Sequence, residues 1–177
     1  MTRTLLALLA LAVAASPAVA QTAPPGMSEN DDYSEVSVQA PVGGTVPATL
    51  GLTLGAPATF GAFVVGAAAD YTASTTANVI STAGDAALSV ADASATATGH
   101  LVNETFALVQ PLRVKGSSPA GTGGALAPLP TTLLTYSGPV SNDPVRLDFA
   151  QAIGANEPLR TGTYGKTLTF TLSTTNP

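Results

Sequence analysis

Strict alternation of apolar and polar residues restricts the fold of this chain more than any other feature. In residues 69–81, ADYTASTTANVIS, odd positions from 71 to 79 carry apolar side chains or Thr, and even positions from 70 to 78 are polar. In residues 163–174, Leu168, Phe170 and Leu172 alternate with threonines. A period of two places successive side chains on opposite faces of a β-strand. Because Ser, Thr and Asn weaken helices and no apolar stripe has helical spacing, both stretches predict strands.

Shorter patterns of the same kind recur along the chain and are separated by turn-forming residues. The turn TAGD at 82–85 predicts a β-hairpin of residues 69–81 with residues 86–92. The Gly- and Pro-rich stretch 116–130 predicts a mobile surface loop. The other predicted strands lie at residues 36–40, 49–55, 58–65 with a kink at Gly61, two stretches of 100–116 divided by Pro111, 132–140, 144–153 and 163–174.

About eight to ten short strands with intervening turns are typical of all-β proteins. The sequence therefore predicts a two-sheet antiparallel β-sandwich of the immunoglobulin-like or jelly-roll type, with under about a tenth of the residues in helix. The carboxyl-terminal strand is expected to pair with one or two neighbours inside it. The residues expected to be mostly buried are Leu52, Leu54, Phe60, Phe63, Val79, Leu88, Val90, Phe106, Leu108, Leu147, Phe149, Leu168, Phe170 and Leu172.

The first 20 residues have the pattern of a secretory signal peptide. Arg3 is followed by an apolar run at 5–15 and by Ala18-Val19-Ala20, a small-x-small cleavage pattern. The apolar run is shorter than the roughly 20 residues that span a bilayer, so we expect cleavage after Ala20 and no membrane span afterwards. The predicted organisation is a signal peptide at 1–20, a flexible acidic and Pro-containing tail at 21–35, and a single β-sandwich domain at 36–177. The expected location is extracellular, with association to the cell wall as a further hypothesis.

Composition excludes several classes of function. The chain has no Cys, which removes thiol catalysis and Cys-based zinc sites. Its formal net charge is −5, and without Arg3 the balance of 5 basic and 11 acidic residues becomes −6. Nucleic-acid binding requires a basic face. The sequence predicts no nucleic-acid partner, because the remaining basic residues are only Arg113, Lys115, Arg146, Arg160 and Lys166.

The acid and base residues do not suggest a catalytic set. His100 is the single histidine, and although Asp92 is near it in sequence, no Gly-x-Ser-x-Gly elbow is present, so His100 is interpreted as structural or merely exposed. A His-based zinc site lacks partners for the same reason. Asp143 and Asp148 are five residues apart, which places them on opposite faces of a strand. Asp143, in SNDP at 141–144, is interpreted as a turn former.

Three further patterns allow weaker interpretations. The acidic run 29–32, with Glu35, is interpreted as a solvated tail, with a weak calcium site as the alternative. Asn103-Glu104-Thr105 matches a glycosylation acceptor that a bacterial source would leave unused. Aromatic platforms for a glycan are limited to four tyrosines, of which Tyr71 is expected in the core. We predict no catalytic, cofactor-binding or metal-binding residues and no cofactor. The four tyrosines are Tyr33, Tyr71, Tyr136 and Tyr164.

Several phrases resemble a module of exported proteins of high-GC Gram-positive bacteria. They are LGLTLGAPATFGAF, ADYTASTTANVISTAGDAALSVAD, GHLVNETFAL and PVSNDPVRLDFAQAIGANEPLRTGTYGKTLTFTLSTT, and the resemblance covers residues 36–177. The layout is more distantly similar to WxL cell-surface domains, which associate with the Gram-positive wall. The chain has no Trp, so the WxL motif itself is absent and no functional residue is carried over. The resemblance implies an exported β-sandwich surface module.

These observations favour a non-enzymatic secreted or cell-surface module with a structural or interaction role. Sheet-edge pairing or flat Thr-rich faces would mediate self-association, adhesion or docking to wall polymers and surface proteins. The alternative is a small glycan- or cell-wall-polymer-binding module that accompanies secreted enzymes. Enzymatic activity is not expected, because the usual nucleophile, base and metal-ligand sets are missing from the sequence.

Overall fold

The computed structural model describes residues 37–175, which contain eleven strands and no helix. The prediction of an all-β antiparallel fold is confirmed. The chain divides into two units, 1–42 and 43–177. Of the first unit, residues 37–42 are described, and they are irregular and exposed. No helix that is long and apolar enough to cross a membrane occurs in the described residues.

The larger sheet is built around two long strands that pair over most of their length. β2 is Ala69–Ser81 and β10 is Val140–Ile153, and they run antiparallel from Ile153 opposite Ala69 to Asp143 opposite Val79. The strand order in this sheet is β1-β2-β10-β6-β8. Its other strands are β1, Leu50–Leu54; β6, Arg113–Ser117; and β8, Ala127–Pro128.

The second sheet contains the carboxyl-terminal strand. Its order is β11-β3-β9-β7, and all its pairs are antiparallel. The strands are β3, Ala86–Ala91; β7, Thr122–Gly123; β9, Thr131–Tyr136; and β11, Thr169–Ser173. A third, two-stranded sheet joins β4, Val102–Asn103, to β5, Phe106–Ala107.

The two large sheets share one hydrophobic core. Val79 and Leu147 of the first sheet and Leu88 and Leu134 of the second are completely buried and belong to the same cluster. A sandwich requires such a shared core, because each sheet must bury one face against another element. The immunoglobulin-like or jelly-roll description stays an interpretation of this arrangement.

The core predictions are confirmed at six of the fourteen positions: Val79, Leu88, Val90, Leu108, Leu147 and Phe149 are buried. The prediction that Leu54 is buried is wrong, since Leu54 is exposed at the end of β1. The other seven are half-buried, which includes all three apolar residues of the carboxyl-terminal stretch. β11 pairs with β3 alone among the described residues, so it is an edge strand, and β1 of the other sheet lies close to it.

Several predicted elements are wrong, and each has a local reason. Residues 69–81 and 86–92 do not form a hairpin, because β2 pairs with β1 and β10 whereas β3 pairs with β9 and β11. Within 58–65 no strand forms, and Gly61 has a φ of 75°, which interrupts an extended chain. In the predicted strand 36–40, the described residues 37–40 are irregular and exposed. The predicted loop 116–130 contains the short strands β7 and β8.

Candidate functional site

An apolar cleft of about 990 Å³ opens between the two large sheets, beside β1 and β11. We call it the β1–β11 cleft. Two segments form most of its walls: 54–65, which is irregular after the end of β1 at Leu54, and 159–168. Buried residues of the core form its floor. Phe60, Phe63 and Phe170 are among the side chains that line it. Pockets of this size and composition are typical of ligand-binding sites.

The cleft lies where both sheets end. β1 pairs with β2 and β11 pairs with β3, and neither strand has a second ladder partner among the described residues. The backbone bonds from Gly55 N to the Thr76 oxygen, 2.8 Å, and from Thr82 N to the Thr49 oxygen, 3.0 Å, show that odd-numbered residues of β1 face β2. Since backbone groups alternate in direction along a strand, those of the even-numbered residues point to the open edge.

Four aromatic contacts organise the cleft walls. The ring centroid of Phe63 lies 4.8 Å from Tyr71, 6.1 Å from Phe60 and 6.1 Å from Tyr164. Tyr164 in turn lies 6.4 Å from Phe106. Such edge-to-face and tilted pairs contribute beyond simple burial. Phe63 therefore connects the segment 54–65 to the segment 159–168.

The two tyrosine hydroxyls fix the backbone of these walls. The hydroxyl oxygen of Tyr71 accepts a hydrogen bond from the Val64 amide at 2.7 Å. The hydroxyl oxygen of Tyr164 accepts one from the Arg160 amide at 2.8 Å. Each hydroxyl satisfies an amide in a segment that forms no strand, so the walls are held by specific bonds as well as by packing.

A buried ion pair anchors the second wall to the loop after β3. The Lys166 Nζ lies 3.0 Å from Asp92 Oδ2, and both side chains are nearly fully buried. Lys166 also donates hydrogen bonds to the carbonyl oxygens of Thr96, at 3.0 Å, and Ala97, at 3.1 Å. The ammonium group therefore has all three donors in use. Lys166 is among the residues that line the cleft, and its charge is satisfied by these three partners.

Asp92 is held as a carboxylate by several donors. Its oxygens accept bonds from the Ser94 amide at 2.9 Å, the Ser94 hydroxyl at 2.5 Å and the Gly99 amide at 2.8 Å. Burial by itself raises the pKa of Asp92, but the bonds from Ser94, Gly99 and Lys166 outweigh it and hold that pKa well below its usual range. The sequence carries no local signal for this pairing, because Lys166 lies 74 positions after Asp92.

His100 belongs to a different network from Asp92. Its Nδ1 lies 2.7 Å from the carbonyl oxygen of Leu108. Because a carbonyl oxygen only accepts, Nδ1 carries a proton and donates to it. The half-buried ring thus fastens the chain between β3 and β4 to the residue after β5.

Asp143 is not a turn former, and that prediction is wrong. It lies in β10, is buried, and accepts bonds from the Tyr136 hydroxyl at 2.9 Å and the Ala120 amide at 3.3 Å. The neighbouring Asn142 adopts the left-handed conformation, φ 53°, in a β-bulge, which is the irregularity that the SNDP pattern signals. Burial raises the pKa of Tyr136 to about 12; a hydrogen bond with Ser118 opposes this rise and Asp143 adds to it.

Asp148 lies on the opposite face of β10 from Asp143, as predicted. Its carboxylate is 2.8 Å from Arg146 Nε and 3.9 Å from Lys115 Nζ. These three side chains border a shallow polar groove of about 670 Å³ on the outer face of the larger sheet. Pairs of this exposure contribute little to stability.

The other sequence candidates fall outside the cleft interior or outside the described residues. Tyr136 is buried, and Tyr71 is half-buried against the core, in agreement with its predicted position. Asn103 is buried and donates to the Thr161 carbonyl at 3.2 Å. Tyr33, the acidic run 29–32 and Glu35 lie outside the described residues. Within residues 37–175, no group of three His, Asp or Glu side chains could hold a metal ion.

A scan against protein-family models, a search of curated proteins and a search of solved structures each returned no match for this chain.

Proposed function

We propose that this protein is an exported, non-enzymatic interaction module that binds its partner in the β1–β11 cleft. The observation that carries the proposal is an apolar cleft of about 990 Å³ beside two strands with unpaired edges. Apolar walls favour an apolar partner, and unpaired edges offer backbone hydrogen bonds to an extended chain. The signal-peptide pattern at 1–20 supports a location outside the cell.

The cleft chemistry favours binding over catalysis. The titratable side chains along its walls are Arg160, Tyr164 and Lys166, with no Asp, Glu or His among the described lining residues. Lys166 is engaged by Asp92, and Arg160 lies 3.7 Å from Glu104. General acid–base catalysis needs a group placed against the reacting atoms with a pKa near the working pH. The described lining offers apolar surface and hydroxyls for recognition instead.

The test is binding of an apolar fluorescent probe, anilinonaphthalene sulfonate, to the chain without its predicted leader. Val65 lines the cleft and is 69% exposed, so Val65→Asp adds a charge to the site with little expected effect on folding. Val109 is 65% exposed and lies outside the cleft lining, so Val109→Asp is the matched control. We expect saturable probe binding that Val65→Asp weakens at least tenfold and Val109→Asp leaves unchanged. Equal effects of the two substitutions would contradict the proposal.

A second candidate function is binding of a cell-wall polymer on the outer face of the larger sheet. The observation in its favour is the polar groove bordered by Lys115, Arg146 and Asp148. Two cations beside one carboxylate leave local positive charge for an anionic polymer. Retention on purified wall material should fall in a Lys115→Glu/Arg146→Glu variant and persist in Arg160→Glu, which changes an arginine outside the groove. Absence of retention of the unsubstituted chain would exclude this function.

Membership of the exported module of high-GC Gram-positive bacteria is part of the same proposal. It is supported by the phrases quoted above across residues 36–177. The distant similarity to WxL domains adds attachment at the cell surface as the expected setting. Neither resemblance assigns a function to an individual residue.

A further inference from the structure

The alternation that defines β1 extends well before its first residue. From 38 to 54, every even position is Val, Ala, Gly or Leu, and every odd position is Gln, Pro, Gly or Thr. Of this stretch, the structure pairs only Leu50–Leu54. The alternation of a strand thus continues through the turn-forming residues 41–47 that separate the predicted strands 36–40 and 49–55. The even positions are Val38, Ala40, Val42, Gly44, Val46, Ala48, Leu50, Leu52 and Leu54.

The unpaired part of this pattern is exposed to an unusual degree. Val38, Val42 and Val46 are 87%, 97% and 80% exposed, and all residues from 37 to 49 are exposed. Among residues 37–175, seven of the eight exposed large hydrophobic residues lie between positions 38 and 65, in this segment, in β1 and in a cleft wall. Such an accumulation of exposed apolar side chains in one part of the sequence differs from the scattered exposure that is normal for soluble proteins.

The prolines of the segment leave one strand edge intact. Pro41 and Pro47 are six residues apart, so in an extended chain their missing N–H groups lie on the same edge. The even-numbered residues point their backbone groups to the other edge, and none of them is Pro. Residues 37–48 can therefore pair as an edge strand along that side while Val38, Val42 and Val46 face a single apolar surface.

The β1–β11 cleft offers the complementary surface. In the strand registers, Leu54 is opposite the buried Ala77 and Phe170 is opposite the buried Val90. Leu54 and Phe170 therefore point to the core side of their sheets, and both line the open cleft. An added strand beside either edge would place alternate side chains into this apolar space and its backbone against unpaired groups, as in β-strand addition.

The position of the segment in the chain selects the cleft of another molecule. Residues 43–49 lead into β1 at Leu50, whereas the cleft lies at the opposite end of the strand, where Leu54 lines it. These ends are about 13 Å apart at 3.3 Å per residue. To enter the cleft of its own chain, the segment would have to reverse direction beside β1, whereas a second copy can accept it in the extended form that its alternation favours.

We propose that residues 37–48 of one copy add as a strand to the β1–β11 cleft of a second copy. The contact is head-to-tail, because donor segment and acceptor cleft are different surfaces, and such a contact extends into chains of subunits unless it closes into a ring. This inference rests on the proposed function and names its partner.

Sedimentation velocity over a wide concentration range tests the donor. We expect the chain without its predicted leader to form successively larger species as concentration rises. Val38→Asp/Val42→Asp/Val46→Asp should be monomeric at every concentration. Ser37→Asp/Gln39→Asp/Thr45→Asp adds the same three charges to the other face of the segment and should assemble like the unsubstituted chain. All six positions are exposed, so folding should be retained in both variants.

A synthetic peptide of residues 37–48 tests the acceptor. Its fluorescently labelled form should bind the Val38→Asp/Val42→Asp/Val46→Asp chain, with at least tenfold weaker binding when Val65→Asp is added and no change with Val109→Asp. A chain that is monomeric at all concentrations overturns the inference, whether the peptide binds or not, since binding would then indicate docking within one molecule. Probe binding that is sensitive to Val65→Asp, without peptide binding, would leave the proposed function standing and refute only self-association.

Discussion

Truncation of Phe170 should cost about half as much stability as truncation of Leu147, although both residues lie on apolar strand faces. Leu147 is completely buried in the central strand β10. Leu147→Ala removes three carbon atoms, a transfer term of about 2.4 kcal/mol at about 0.8 kcal/mol per group, and leaves a closed cavity. The expected loss of unfolding free energy is about 3 to 4 kcal/mol.

Phe170 is half-buried on the edge strand β11 and borders the open cleft. Phe170→Ala therefore removes only part of a buried ring, and the space it leaves opens to solvent. We expect a loss of about 1.5 to 2 kcal/mol, below the roughly 3 to 5 kcal/mol of a central phenylalanine. Thr171→Ala, on the exposed face of the same strand, should change the unfolding free energy by about 0.5 kcal/mol.

Urea denaturation followed by circular dichroism measures these differences. The midpoint shift of each variant is the free-energy loss divided by the slope of the transition, so the ratio of the two shifts is independent of that slope when it stays constant. A ratio near two for Leu147→Ala over Phe170→Ala is the expected result. A Phe170→Ala loss equal to or greater than that of Leu147→Ala would refute the edge-strand position of β11.

Three further predictions concern the buried ion pair, β11 and the leader. Asp92→Asn should lower the melting temperature at pH 7, and the difference from the unsubstituted chain should shrink as pH falls below about 4. A carboxylate whose pKa is depressed by folding stabilises the protein above its unfolded-state pKa, and this stability is lost as pH falls through the folded-state pKa. A difference in melting temperature that is independent of pH would contradict this. Deletion of 169–177 should cause aggregation, because the edge of β3 and its buried Leu88 and Val90 lose their cover; a soluble product that melts like the parent would refute it. Amino-terminal sequencing of protein recovered from the culture medium should begin at Gln21, and recovery only in the cytoplasm would exclude export.

The local structure of the strands follows from the sequence because it depends on near neighbours. The bounds of β2 are those of the alternating stretch 69–81, and the buried face of that strand is the one its odd positions predict. Pairing between strands is not local, and this is why the hairpin prediction was wrong: the turn after Ser81 changes sheets instead of reversing within one.

The cleft could be predicted only in part. Phe60 and Phe63 were expected to be buried in a strand with a kink at Gly61, and their half-burial beside an opening depends on the segment 159–168, almost 100 positions later. The pairing of Lys166 with Asp92 has the same origin. Conversely, the alternation at 36–40 predicts a strand, and that prediction is wrong, because the described residues 37–40 are irregular and exposed.

Disulfide formation between two separately prepared variants tests the central claim most directly. The chain has no native Cys, so Val42→Cys and Val65→Cys each introduce a unique thiol, one in the donor segment and one in the cleft. Mixed under mild oxidation, differently tagged forms of these variants should give a cross-linked pair with twice the mass of one chain, in much higher yield than Val42→Cys mixed with Val109→Cys. Equal yields from the two mixtures would contradict insertion of residues 37–48 into the cleft of a second copy.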